Sequence, residues 1–273
     1  MAHDYYTYNK AQLLTNPKMT LICKPDNATV FKEMADEMAD EIIKHNAAGE
    51  KTVFICPVGP VGQYPYFVDR VNAEGISLKN VWFINMDEYL DDDKQWVPMD
   101  HPLSFRGFME RTVYTKIRPE LLMPEAQRVF PDPCRTEYIP ELIASLGGVD
   151  IAFGGIGING HVAFNEADER LTNAQFLAQK TRVLEITPET RTANAIGDFN
   201  GALEDMPRYC VTIGIYEIAH ARKIRLGCFR NWHRAVVRRA GHGEPTSAFP
   251  VSLLQDHPDI TLTFTKFVAS LED

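Results

Sequence analysis

The sequence predicts an α/β fold, a single-domain, Rossmann-like, open and mainly parallel sheet with helices on both faces. Three observations predict it. Short apolar runs rich in β-branched residues alternate with segments of helical spacing along most of the chain. The run VDIAFGGIG (149–157) is apolar on both sides, as parallel strands buried under helices tend to be. Loops with glycine, proline or paired charges directly follow several runs, which places them beyond the carboxyl ends of strands, where such sheets bind ligands.

The elements follow in order. Residues 1–18 read as an N-terminal extension and residues 19–273 as the α/β domain. MTLICK (19–24) is the first strand. The next segment places Val30, Met34, Met38, Ile42 and Ile43 near helical spacing, with Asn27 as candidate N-cap. KTVFICPV (51–58) is a second strand that ends at a Gly/Pro turn, and YPYFVDRVNAEG is a second helix. NVWFINMDEY (80–89) is a third strand, followed by helical SFRGFMERTVYTKI. VDIAFGGIG is the fourth. RYCVTIGI (208–215) and ARKIRLGCF (221–229) are two more, HRAVVRRAG begins another helix, and DITLTFT (259–265) closes the chain.

Composition narrows the class. A chain of 273 residues with 45% hydrophobic content can bury a sizeable core as one domain. A net charge of −9, from 37 acidic and 28 basic residues, argues against a nucleic-acid partner. No apolar run approaches the ~20 residues of a membrane helix, and MAHDYYTYNKAQLL has no signal-peptide core. The expectation is a soluble, cytoplasmic protein with no membrane partner. The five cysteines contain no CxxC pair and read as reduced thiols, each a small buried apolar residue.

Three loops carry chemistry: PVGPVGQYP after the second strand, NMDEY at the end of the third, and GIGINGHVAFNE after the fourth. They should converge on one crevice. Gly155, Gly157 and Gly160 permit positive φ and close backbone approach. A tight strand-to-helix turn without a ligand would also account for them. A dinucleotide fingerprint fits poorly, because the motif lies deep in the chain and no acidic residue at the end of a following strand completes it. His161 with Glu166 five residues on can form a His–carboxylate pair suited to acid–base work. A satisfied surface histidine explains His161 alone equally well. Asp87 and Glu88 are neighbours in an extended segment, so one can face the crevice while the other caps or pairs; a solvated strand end is the plain alternative. DDDK (91–94) carries no assigned function. A carboxylate base, an acid–base histidine and a glycine cradle together suit proton abstraction next to a carbonyl or imine, the core of aldose–ketose chemistry.

NMDEYL, HPLSFRGFM, GGIGINGHVAFNE, TPETRTAN and SLLQDHP, spread from about Met19 almost to the end, resemble the glucosamine-6-phosphate deaminase (isomerase) family. That family shares its fold with 6-phosphogluconolactonases, but HVAFNE looks like the deaminase tail. The resemblance implies conversion of an amino-sugar phosphate and water to a ketose phosphate and ammonia, with no metal or organic cofactor. It implies that Asp87 moves a proton between C2 and C1, that His161 assists ring opening, and that Glu166 holds and charges His161. Asn159 occupies a position that is Asp in some members and Asn in others. It also makes Glu88 and the glycine loop substrate contacts.

The family's phosphate loop reads roughly Pro-Thr-Gly-Ser/Gly-Thr-Pro, whereas this chain has Pro57, Val58, Gly59, Pro60, Val61 and Gly62. Two hydroxyls are lost, and Pro60 removes a backbone donor. By ungapped count the family's phosphate-binding Arg falls on Ile196 and its Lys on His233. Arg230, His233 and Arg234 could rebuild an anion site. Otherwise the substrate lacks a 6-phosphate, and the balance leans to an altered substrate. The other readings are a sugar lactonase and a sugar-binding regulator on the same fold; Asp87, His161 and Glu166 together argue against the regulator. A homo-oligomer is compatible with all of them.

Overall fold

Ten strands organise the computed structural model, which describes residues 3–271. They are β1 (Thr20–Lys24), β2 (Thr52–Cys56), β3 (Val81–Asn85), β4 (Asp87–Leu90), β5 (Arg128–Val129), β6 (Ile151–Gly155), β7 (Arg182–Glu185), β8 (Tyr209–Thr212), β9 (Lys223–Cys228) and β10 (Ile260–Thr265). Seven form a wholly parallel sheet in the order β1-β10-β9-β6-β2-β3-β5. The other three form an antiparallel sheet, β4-β8-β7. The helices are α1 (Lys10–Leu13), α2 (Asn27–Ala48), α3 (Gln63–Glu74), α4 (Phe105–Met109), α5 (Tyr138–Leu146), α6 (Asn173–Leu177), α7 (Pro188–Asp198), α8 (Ile215–Ala219), α9 (His233–His242) and α10 (Lys266–Ala269).

Every residue of β2 is buried, because TVFIC presents apolar side chains to both faces. Val53 and Ile55 face a core shared with α9 through Val236, Val237 and Ala240. Phe54 and Cys56 face the opposite core, where α2 contributes Met34, Met38 and Ile42 and α3 contributes Phe67 and Val71. From β2 the chain builds outward through β3 to β5, then returns to β6 on the other side and continues through β9 to β10. The reversal between β2 and β6 is the topological switch point, and a crevice is expected beyond the carboxyl ends of those two strands.

The structure departs from the sequence reading at several places. The run 80–89 divides at Met86, whose N–H donates to the Cys56 carbonyl while its own carbonyl accepts from Ile213. The chain thereby leaves the parallel sheet and enters the small one as β4. RYCVTIGI lies in that antiparallel sheet as β8. The N-cap of α2 is Asp26, which accepts from the Thr29 N–H, rather than Asn27. Segment 104–117 is α4 followed by a π-helical turn at Glu110–Tyr114. β10 does not close the chain, since α10 follows it. Cys56, Cys210 and Cys228 are buried as expected, but Cys134 is exposed in a turn and Cys23 is half-buried.

The N-terminal segment is fastened to α9. Leu13 is fully buried in the core. Arg238 of α9 is fully buried too and donates to the Tyr8 carbonyl at 2.8 Å, the Arg234 carbonyl at 2.8 Å, the Val268 carbonyl at 3.3 Å and the Ala269 carbonyl at 2.7 Å. Among the described residues no helix is long and apolar enough to cross a membrane.

Candidate active site

The loops after β2 and β6 meet at glycine. A Cβ on Gly155 would lie 3.0 Å from the Gly59 carbonyl oxygen and 3.1 Å from Pro60 Cδ, so the two loops approach as closely as backbone allows. A Cβ on Gly157 would overlap the His161 ring, and Gly160, at φ +85°, adopts a left-handed conformation under Phe249. The glycines of this motif thus make room for a histidine and a neighbouring loop.

His161 is held by an amide. Asn159 Nδ2 donates to Glu166 Oε2 at 2.7 Å, which leaves Asn159 Oδ1 facing His161 Nδ1 at 2.7 Å. Only a protonated Nδ1 satisfies that contact, so the neutral ring keeps its lone pair on Nε2. No described residue hydrogen-bonds Nε2. The direct separation of His161 Nδ1 and Glu166 Oε2 is 3.4 Å. Glu166 therefore acts on the ring through charge and through Asn159. The Thr190 and Thr187 hydroxyls also reach Glu166 Oε2, at 3.0 and 3.2 Å. Burial works to raise the Glu166 pKa, but the facing His161 and the Asn159 and Thr190 bonds hold it down at about 2. Thr187 and Thr190 were not singled out from the sequence. Their signal was local: a Thr N-cap followed by Pro at the first turn of α7.

Asp87 opens β4 opposite Thr212 and is 6% exposed. Burial and the neighbouring Glu88 push its carboxyl well above the usual carboxylate range. No hydrogen bond from a described residue stabilises the charged form. Phe164 joins this strand to the histidine loop: its ring lies 5.5 Å from Tyr89 and 6.2 Å from His161. Gly154, on the strand that carries the His161 loop, lies against Met86, directly before Asp87.

Glu88 is a correction. Expected to touch substrate, it is instead fully buried and accepts from the N–H groups of Tyr89, Phe105 and Arg106 and from the Ser104 hydroxyl, at 2.8–3.0 Å. It caps the start of α4, as the side chain opposite a crevice-facing neighbour can. His233 is a second correction. It is 5% exposed, Nδ1 accepts from the Phe229 and Arg230 N–H groups at 2.7 Å, and Nε2 meets the Ile156 carbonyl at 2.9 Å. Burial, reinforced by nearby Arg230, holds its pKa down at about 4. It is therefore a neutral ring with both nitrogens engaged and cannot supply the cation of an anion site.

The remaining candidates around loop 57–62 are dispersed. Val58 and Val61 pack against the α2–α3 core. Ile196 is 72% exposed on α7. Arg230 pairs with Asp198 at 2.7 Å, and Arg234 lies over the Phe267 ring at 4.7 Å. Two cavities lie elsewhere: one of about 600 Å³ at the amino ends of the strands, lined by Glu41, His45, Asp150 and Arg222, and one of about 540 Å³ behind Glu166, Arg182 and Thr187. Neither includes Asp87.

No protein-family model matches the chain. It is 31% identical over 252 residues to the glucosamine-6-phosphate deaminase of Geobacillus sp. (strain WCH70), spanning 89% of this chain and 94% of that protein. It is 32% identical over 248 residues to that of Bacteroides fragilis, spanning 88% and 86%. Among solved structures, a monomeric glucosamine-6-phosphate deaminase superposes with a TM-score of 0.80 at 25% identity, over 93% of this chain and all (100%) of that one. The 6-phosphogluconolactonase of Trypanosoma cruzi superposes with a TM-score of 0.65 at 15% identity over 92% and 96%, a likeness of fold alone. By identity and by coverage, this chain belongs to the glucosamine-6-phosphate deaminase family.

Proposed function

We propose that the protein is an amino-sugar deaminase/isomerase, which turns an aldose amino sugar and water into a ketose and ammonia, and that its subsite at loop 57–62 departs from one built for a 6-phosphate. Two observations support the reaction: a buried Asp87 carboxyl with no hydrogen bond from a described residue, and a His161 ring whose Nε2 is left open by the Asn159–Glu166 relay.

In this reading His161 Nε2 takes the proton of the anomeric hydroxyl and delivers one to the ring oxygen, which opens the sugar. The negative Glu166 favours the imidazolium formed in between. Asp87 then removes the C2 proton and returns it to C1, while O1 takes up a proton given by the C2 ammonium group, which leaves a C1 hydroxymethyl and a C2 iminium. A carboxylate that burial has made more basic is a better acceptor for a carbon acid. The C2 iminium that results adds water and releases ammonia, and C2 becomes the ketone.

The test is ammonia release over free and phosphorylated amino sugars, by the wild type and by Asp87→Asn. The variant keeps the shape and removes the base, so turnover should fall at least ~100-fold. Near-normal turnover would remove Asp87 from the proton transfer.

A further inference from the structure

Taking the protein as an amino-sugar deaminase, we infer that the end of the crevice formed by loop 57–62, Phe31 and Phe229 receives an uncharged sugar terminus, so that the substrate class is unphosphorylated amino sugars.

Two backbone sites here could have held an anion; a side chain of this chain lies against the first and another occupies the second. The first is the amino end of α3, which would attract negative charge. The Phe31 ring from α2 lies so close over Gly62, the N-cap of α3, that a Cβ there would overlap it. Phe31 is in turn packed on Phe229, with ring centroids 4.5 Å apart. The second is the pair of N–H groups at Phe229 and Arg230, beyond β9. Both donate to His233 Nδ1, and the ring is pinned from behind by the Ile156 carbonyl. A neutral imidazole accepts where an anion's oxygen would.

The surrounding side chains point the same way. Val58 and Val61 stand where hydroxyls would be needed and pack against the α2–α3 core, and Pro60 has no N–H. The Arg230 guanidinium is paired with Asp198 at 2.7 Å, in space that Gly197 leaves open. Gln63 donates to the Pro60 carbonyl at 2.9 Å, and its buried Oε1 has no partner among the described residues. A phosphate dianion would lose its water against two aromatic rings. A hydroxymethyl or methyl group would lose little, and its C–H groups would pack on the rings.

The experiment uses calorimetry on the wild-type protein with 2-amino-2-deoxyglucitol and its 6-phosphate, open-chain amino alcohols that cannot isomerise, alongside kcat/KM for glucosamine and glucosamine-6-phosphate. The free amino alcohol should bind at least about tenfold tighter than the phosphate, roughly the weight of one charge-assisted hydrogen bond. Tighter or equal binding of the phosphate overturns the inference, and so does failure of the free form to bind. Phe31→Lys, a change at a half-buried helix position, should shift the ratio toward the phosphate by about tenfold at low salt. Phe31→Ser should weaken the free form alone. An unchanged ratio in both variants also overturns it. If the preference is found but no sugar releases ammonia, the deaminase reading falls while the subsite assignment stands. If glucosamine-6-phosphate is deaminated with the higher kcat/KM, the reverse holds.

Discussion

Asn159 is where the acid–base chemistry is decided at the scale of single residues. Its amide fixes which nitrogen of His161 bears the proton, and it relays the charge of Glu166, whose Oε2 also lies 3.4 Å from that nitrogen. Glu166→Gln keeps the side-chain shape and removes the charge. Turnover should fall roughly tenfold or more, because an amide no longer supplies the negative charge that stabilises the imidazolium formed during ring opening. Turnover equal to the wild type would leave Glu166 with a structural role only. The pairing of His161 with Glu166 was legible as a five-residue spacing. The mediation by Asn159 was not, because the direction of an amide is set by contacts that a sequence does not display. The same limit applied at His233, whose ring reads in sequence as a cation candidate and in three dimensions as a neutral acceptor.

Among elements, β4 and α4 are joined by Glu88. Four donors converge on its carboxylate at 2.8–3.0 Å, three of them from Ser104, Phe105 and Arg106 at the start of α4. Glu88→Gln turns one acceptor oxygen into a donor aimed at other donors. The cost should be on the order of 2–3 kcal/mol, read by denaturant unfolding, with sugar affinity retained in the folded fraction. Full stability with lost affinity would return Glu88 to the substrate. Strands β1, β2, β6, β9 and β10 of the parallel sheet were legible because each is a short apolar run with clear ends. The small sheet was not. None of the four residues of β7 is buried, and β4 continues the run of β3 with only Met86 between them. Nothing in a local window marks the point where such a chain changes sheets. The start of α7 was visible as Thr-Pro capping, but its contact with Glu166 spans 21 and 24 residues of chain and has no local signature.

For the whole molecule, the switch point between β2 and β6 gathers the chemistry at one edge and leaves the opposite edge to structure. It also ties stability to pH. His233 is held at about 4 in the fold against ~6.5 in an unfolded chain. The unfolded state therefore takes up a proton that the folded state refuses. Its contribution is complete above ~6.5 and is lost as pH falls toward about 4, by no more than ~3 kcal/mol. Glu166, held at about 2, adds a further loss below the ordinary glutamate range. Asp87, pushed upward, acts in the opposite sense and favours the fold at acid pH. His233→Gln should flatten the stability curve between pH 6.5 and 4; a variant that follows the wild-type curve in urea unfolding would refute this. The Arg238 clamp has a consequence of another kind. One guanidinium holds the backbone at Tyr8 and at Ala269, so the two ends of the described chain lie side by side. Chain order around the molecule is then nearly circular. A permutant joined across these ends by a short glycine-serine linker and opened at the exposed turn Gly49–Glu50, between α2 and β2 at the edge remote from His161, should refold with ammonia release intact. A permutant that stays unfolded would show that the order in which the strands are threaded, and not only their final neighbours, is needed to build the sheet.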